Sequence, residues 1–141
     1  MGIELPSRFK HTIISDGIRS ACLENPLKVA FKHGDKTRTY HELIQRMGAI
    51  AGIISSSDIP LKSNIAIVAS NSIEYMEIVL ASSQLGHPIA TINPKLTATE
   101  LVSICEDAEA KLLFVDEKAH SLLKGIEIKG IKRIINTDNQ M

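Results

Sequence analysis

Gly86-His87-Pro88-Ile89-Ala90-Thr91-Ile92-Asn93-Pro94-Lys95-Leu96-Thr97-Ala98-Thr99-Glu100-Leu101 is the stretch on which the fold turns. An apolar run, Ile89 to Ile92, stops at Asn93-Pro94. A proline neither donates to a ladder nor lets the residue before it settle into a helix. Thr97 is followed at the third position by Glu100, the spacing of a capping box, in which the hydroxyl takes an orphan helix N–H and the carboxylate reaches back to the cap N–H. The segment therefore reads strand, rigid turn, helix. Taken singly, Asn93, Pro94 and Thr97 do no more than a βα loop requires.

Working outward, Ile65-Ala66-Ile67-Val68-Ala69 is an apolar run without alternation, the mark of a strand covered on both faces. Ser70-Asn71-Ser72 caps a helix from about Ile73 to Leu85, which Gly86 ends. Its apolar residues cover more than one face, which predicts deep burial between the sheet and another layer. Beyond the opening stretch, a helix from Ala98 to Ala108 carries Leu101, Ile104, Cys105 and Ala108 on one stripe. Lys111-Leu112-Leu113-Phe114-Val115 is a further apolar run, followed by a short helix from Glu117 to Leu123 and a strand at Lys132-Arg133-Ile134-Ile135. Buried strands with a helix between each pair are the signature of right-handed βαβ units. The predicted fold is α/β: a largely parallel, doubly wound sheet flanked by helices, with 65–69, 89–92, 112–115 and 132–135 in one sheet.

An N-terminal helix and a β-hairpin precede this core. Thr12 to Leu23 has loose helical spacing that Asn25-Pro26 ends. Val29–His33 and Lys36–Thr39 flank Gly34-Asp35, a two-residue hairpin signal. Thr39 with Glu42 forms a second capping box, and Tyr40, Leu43, Ile44, Met47, Ile50, Ala51 and Ile54 make one continuous helical stripe behind it. Gly48 and Gly52 lie together on the flank of that helix, where close backbone packing would compensate their poor propensity.

Composition bounds the function. The 141 residues are one domain's worth, and 44% apolar with 23% charged residues describe an ordinary globular domain. Sixteen basic residues balance sixteen acidic ones, which argues against an electrostatic nucleic-acid binder. No apolar run approaches membrane-spanning length, and Met1-Gly2-Ile3-Glu4-Leu5 lacks the order of a signal peptide. Cys22 and Cys105 are lone thiols among apolar neighbours, read as small buried hydrophobes in a reducing, cytoplasmic setting.

Self-contained chemistry is scarce. There is no Gly-x-Gly-x-x-Gly, no Gly-Lys-Ser/Thr phosphate loop, and no Cys or His cluster at metal spacing. No two of the five histidines fall at a ligand-pair spacing, and His33 reads as a solvated turn residue. Asp107 with Glu109, and Asp116 with Glu117, read as solvated surface or as helix-dipole partners. No catalytic residue and no metal ligand is assigned.

Three blocks in order resemble the adenylate-forming, AMP-binding enzymes, most of all acyl-CoA synthetases. They are Thr39-Tyr40-x-Glu42-Leu43 after a hairpin, Ile65-Ala66-Ile67 followed by Asn71-Ser72-x-Glu74-Tyr75, and Gly86 through Leu101; Lys111 to Asp116 resembles the family's next strand. The likeness spans about residues 25 to 135. Two places depart from it. Lys62-Ser63-Asn64 stands where the family usually has Gly-Asp and a basic or apolar residue, and His87 stands where it usually has Ala; both are expected at a loop or strand edge.

The resemblance implies that residues 1–141 are one α/β domain, the N-terminal portion of a larger AMP-binding domain. The parent enzyme would activate a carboxylic acid, a fatty acid in the nearest reading, with ATP and Mg2+ to an acyl-adenylate, then transfer the acyl group to coenzyme A. The polar ending Asn136 to Met141 reads as a cut, and the family's ATP loop and catalytic lysine would lie beyond it. These residues would be scaffold, inactive alone, with the remainder of the parent enzyme as their partner. Lys95 is the one cofactor-binding candidate, placed where the family often has Arg or Lys and where a coenzyme A phosphate could meet it at a helix N-terminus; the plainer reading is an exposed loop lysine. A free-standing, non-catalytic α/β binding or regulatory domain, or the start of a domain loading a carrier-protein thiol, remains open. Apolar surface on the helix 73–85 is expected to drive self-association.

Overall fold

The computed structural model describes residues 13–139. The predicted helix start at Thr12, the reading of Met1 to Leu5, and the end of the polar tail at Gln140 and Met141 lie outside the described residues.

In chain order the elements are α1 (Ile14–Glu24), β1 (Val29–His33), β2 (Lys36–Thr39), α2 (Tyr40–Ser55), β3 (Ile65–Val68), α3 (Ile73–Gln84), β4 (Ile89–Ile92), α4 (Ala98–Asp107), β5 (Leu112–Val115), α5 (Glu117–Leu122) and β6 (Arg133–Asn136). β1 and β2 form the antiparallel hairpin, turning at Gly34, whose φ of 58° only glycine adopts cheaply. The other four strands make one parallel sheet in the order β4-β3-β5-β6. Ile65 stands level with Ile89 on one side and with Leu112 on the other. The one-sheet expectation therefore holds, with the last strand one residue later than its sequence pattern suggests.

The unalternating strands split their side chains between two cores. Ile65, Ile67, Leu112, Phe114 and Ile135 face α2 and α3. Ala66, Val68, Leu113, Val115 and Ile92 face Leu101 and Cys105 of α4 and Ala119 of α5. The chain runs from β3 sideways to β4 by α3 on one face, then back across β3 to β5 by α4 on the other. That reversal is what doubly wound means here.

Sequence reading missed one feature of this core. Glu77 of α3 is fully buried, and its two oxygens meet Arg38 Nε at 2.7 Å and Arg46 Nε at 3.2 Å. Glu74, one turn earlier, pairs with Lys36. Hairpin, α2 and α3 are thus tied by charge as well as by apolar contact.

Two expectations need correction. Cβ atoms built at Gly48 and Gly52 would meet nothing within 4 Å, so neither glycine serves close packing. The apolar surface of α3 is largely covered by α1 and α2: of its large apolar residues only Met76, 38% exposed, remains open. The most exposed large apolar side chains are instead Leu61 and, in and just after α1, Leu23, Leu27 and Ile14.

Candidate functional site

The carboxyl ends of β3 and β4 open into a cleft of about 480 Å³ whose walls include Ser70, Asn71, Tyr75, Thr91, Asn93 and Lys95. In open parallel sheets ligands bind at this end, where loops and helix N-termini converge. The loop carrying Lys95 is stiff: Pro94 fixes one φ, and the Lys95 N–H donates to Asn93 Oδ1 at 3.0 Å. The Lys95 side chain is exposed and has no carboxylate partner among the described residues.

The helix starts beside the cleft are already engaged. The Tyr75 N–H donates to Ser72 Oγ at 3.0 Å. Both halves of the Thr97–Glu100 box form, with the Thr97 N–H donating to Glu100 Oε2 at 2.8 Å and the Glu100 N–H to Thr97 Oγ1 at 3.4 Å. The Thr97 backbone N–H, then its hydroxyl, hold the Glu100 carboxyl below its ordinary range. An ionised carboxylate thus stands at the α4 N-terminus and offsets the positive dipole end. The cleft's positive charge comes from the Lys95 ammonium more than from the helix, which revises the sequence argument for that residue. The arrangement can hold an anion; it presents no nucleophile paired with a base. Among the described residues no three His, Cys, Asp or Glu side chains converge on a possible metal position.

The neighbouring crevice, where β3 and β5 send their chains to opposite faces, is closed by Asp116. Its N–H donates to Val68 O at 3.2 Å, while its carboxylate accepts from the Ser70 N–H at 2.8 Å and the Ala119 N–H at 2.9 Å. Asp116 is therefore an N-cap and a cross-strand tie, more than the solvated or dipole residue its sequence neighbourhood suggests. Glu117 next to it accepts from Asn136 Nδ2 at 2.7 Å and Asn139 Nδ2 at 2.9 Å. The Asn136 hydrogen bond is the main cause holding its carboxyl low. Sequence reading found Lys95 but missed Tyr75 and Thr91 as cleft walls; the block Asn71-Ser72-x-Glu74-Tyr75 was the available signal.

The two departures from the family pattern touch each other. His87 lies, as expected, in the loop leading into β4, but it is buried, 6% exposed, and its Nδ1 lies 2.9 Å from Ser63 O. Lys62 beside Ser63 has φ 61°, a left-handed conformation that explains why glycine is usual there. Asn64 Nδ2 donates to Ala108 O at 2.7 Å and so caps the end of α4.

Known proteins carry the same sequence and fold patterns. The chain is 26% identical over 114 residues to the 2-succinylbenzoate–CoA ligase of Geobacillus kaustophilus, covering 81% of this chain and 23% of that one. It is 26% identical over 104 residues to the long-chain-fatty-acid–CoA ligase of Thermus thermophilus, covering 72% and 19%. The chain thus spans about a quarter or less of these relatives. In fold it resembles an anthranilate CoA ligase solved with anthranoyl-AMP, with TM-score 0.84 and 16% identity over 92% of this chain and 25% of that one. Residues 18–140 match the family described as AMP-binding enzyme, and the chain belongs to that family.

Proposed function

We propose that this chain is one wall of the adenylate-forming domain of an ATP-dependent, AMP-forming acid–thiol ligase. The enzyme activates a carboxylic acid, here read as a fatty acid, to an acyl-adenylate with release of pyrophosphate, and passes the acyl group to coenzyme A in the cytoplasm. The observation that carries this reading is the family match across residues 18–140, which includes all three motif blocks and the hairpin before the first of them. The names of the two CoA ligase relatives support coenzyme A as the thiol.

In this reading residues 1–141 belong to one α/β domain and act as scaffold. ATP would supply the adenylyl group that the carboxylate takes as pyrophosphate leaves, and Mg2+ would neutralise phosphate charge; both are held chiefly by other parts of the enzyme. Lys95 is the residue of this chain that meets a negatively charged group, a phosphate of coenzyme A. Its ammonium is unpaired among the described residues and stands at the mouth of the cleft, the geometry a point charge needs to meet a phosphate. The chain alone also self-associates, through the apolar residues around the end of α1.

Lys95→Ala in the ligase is expected to leave pyrophosphate exchange into ATP unchanged while raising KM for coenzyme A about tenfold, with Lys95→Arg restoring it. An unchanged KM removes Lys95 from the site; a carrier-protein thiol accepted in place of coenzyme A reassigns the acceptor. The 141-residue chain alone is expected to show no tight ATP binding by calorimetry, and sub-micromolar affinity overturns the scaffold role. Sedimentation equilibrium giving only the 15.4 kDa monomer overturns self-association.

A further inference from the structure

One face of α1 looks toward α2. Ser15, Ile18, Arg19 and Cys22 lie on it at i, i+3, i+4 and i+7, one above the other. Ile44, Met47 and Gly48 of α2 form the facing wall, and an apolar groove of about 440 Å³ runs between them. That is the size of a small-molecule site. The groove shares no lining residue with the cleft around Lys95.

Two observations give the groove a chemical preference. Ser15 is 2% exposed, yet its Oγ has no hydrogen-bond partner among the described residues, whereas buried hydroxyls are normally bonded. Arg19, one turn along, is exposed with no carboxylate partner among the described residues. Both groups can donate, while Ile18, Ile44 and Met47 are apolar. Gly48 provides the room: a Cβ there would meet nothing within 4 Å, although a helix interior disfavours glycine.

We propose that this groove binds a small apolar carboxylic acid, its carboxylate accepting hydrogen bonds from Ser15 Oγ and the Arg19 guanidinium and its tail lying along Ile18 and Met47 over Gly48. Charge complementarity selects the acid over a neutral molecule of the same shape. The groove is a second place for an acid on this chain, and its occupancy is independent of the ligase reading, since no residue of it belongs to the cleft.

Cys22 is a reporter built into the wall. It is partly exposed, whereas Cys105 is fully buried and its thiol is pushed up to about 11 by burial, then by Glu106, so a thiol reagent reads Cys22. On the full chain, octanoate is expected to slow labelling of Cys22 about fivefold or more at saturation, with 1-octanol far weaker. Arg19→Gln should raise the half-saturating octanoate concentration about tenfold and leave 1-octanol unchanged. Gly48→Leu fills the groove, so calorimetry should lose the octanoate heat while the melting temperature stays at or above the parent value. The proposal is overturned by no protection at about 5 mM octanoate, by equal effects of octanoate and 1-octanol, by an Arg19→Gln curve that superimposes on the parent, or by octanoate heat retained in a folded Gly48→Leu protein.

Discussion

Arg38 Nε lies 2.7 Å from the buried carboxylate of Glu77, joining the second strand of the hairpin to the middle of α3. Arg46 completes the pairing from α2 at 3.2 Å. A charge withdrawn this far from water survives only when both its oxygens are engaged. The hairpin, which forms its own two-stranded sheet apart from the main one, is held by this clamp together with the packing of Ala30 and Phe31 on the core.

Glu77→Ala is expected to destabilise the chain by about 3–5 kcal/mol, because two arginines then face an apolar gap. Arg46→Ala should cost less than Arg38→Ala, since the Arg46 side chain is 29% exposed against 17% for Arg38. Urea unfolding measures both. Equal costs for the two arginines would contradict the burial argument.

Acid should weaken the fold through four carboxylates. The Thr39 backbone N–H holds Glu42 low, as the Thr97 N–H does Glu100 and the Asn136 side chain does Glu117. Burial pushes Glu74 up, but the Lys36 hydrogen bond and the nearby positive charges more than offset it. Groups whose folded pKa lies below the ordinary 4.5 stabilise above that value and lose their contribution as pH falls through the folded pKa. Melting temperature should therefore fall below about pH 4.5, and Glu42→Gln with Glu100→Gln together should flatten that limb. Thr39→Ala should cost about 1 kcal/mol at neutral pH through the lost cap.

Two backbone positions carry residues that their conformation does not favour. Gly52 lies in a helix with open space where a Cβ would be, so Gly52→Ala should stabilise by about 0.5–1 kcal/mol. Lys62 has φ 61°, so Lys62→Gly should gain about 1 kcal/mol by relieving the left-handed strain. Thermal unfolding of each single variant tests the pair, and a loss at either position refutes its backbone argument.

Thiol chemistry should separate the two cysteines. Cys105 is 0% exposed with its thiol pushed up to about 11, and only the thiolate reacts. Mass spectrometry after brief alkylation at neutral pH should find one adduct, on Cys22, and two after denaturation. Fast native labelling of Cys105 would show that α4 leaves the sheet far more often than its packing implies.

The fold was legible because its signals are local. Ile65–Val68 and Leu112–Val115 lack alternation for the reason the structure shows, burial on both faces, and Thr39–Glu42 and Thr97–Glu100 form the capping boxes that their spacing predicts. What depends on distant partners was not legible. Glu77 is an acidic residue inside an apolar helix until Arg38 and Arg46, more than thirty positions away, are brought to it. His87 looked like a strand-edge substitution, yet it packs on Ser63, itself one of the residues that depart from the family pattern. The positive end of α4 was the argument for Lys95, but Glu100 offsets that end. The same capping box that revealed the helix weakens it as an anion site.

Asp116 links three backbone amides and carbonyls that belong to different elements: Val68 O at the end of β3, the Ser70 N–H beyond it, and the Ala119 N–H inside α5. Local fluctuations at the carboxyl end of the sheet are therefore not independent. For the Ser70 amide to exchange with solvent its bond to the carboxylate must break, and a carboxylate that swings away releases Ala119 in the same event. The two amides, 49 residues apart in the sequence, are expected to exchange at a common rate that Asp116→Asn accelerates for both. Two strand ends thus open as one cooperative unit, hinged on a single side chain.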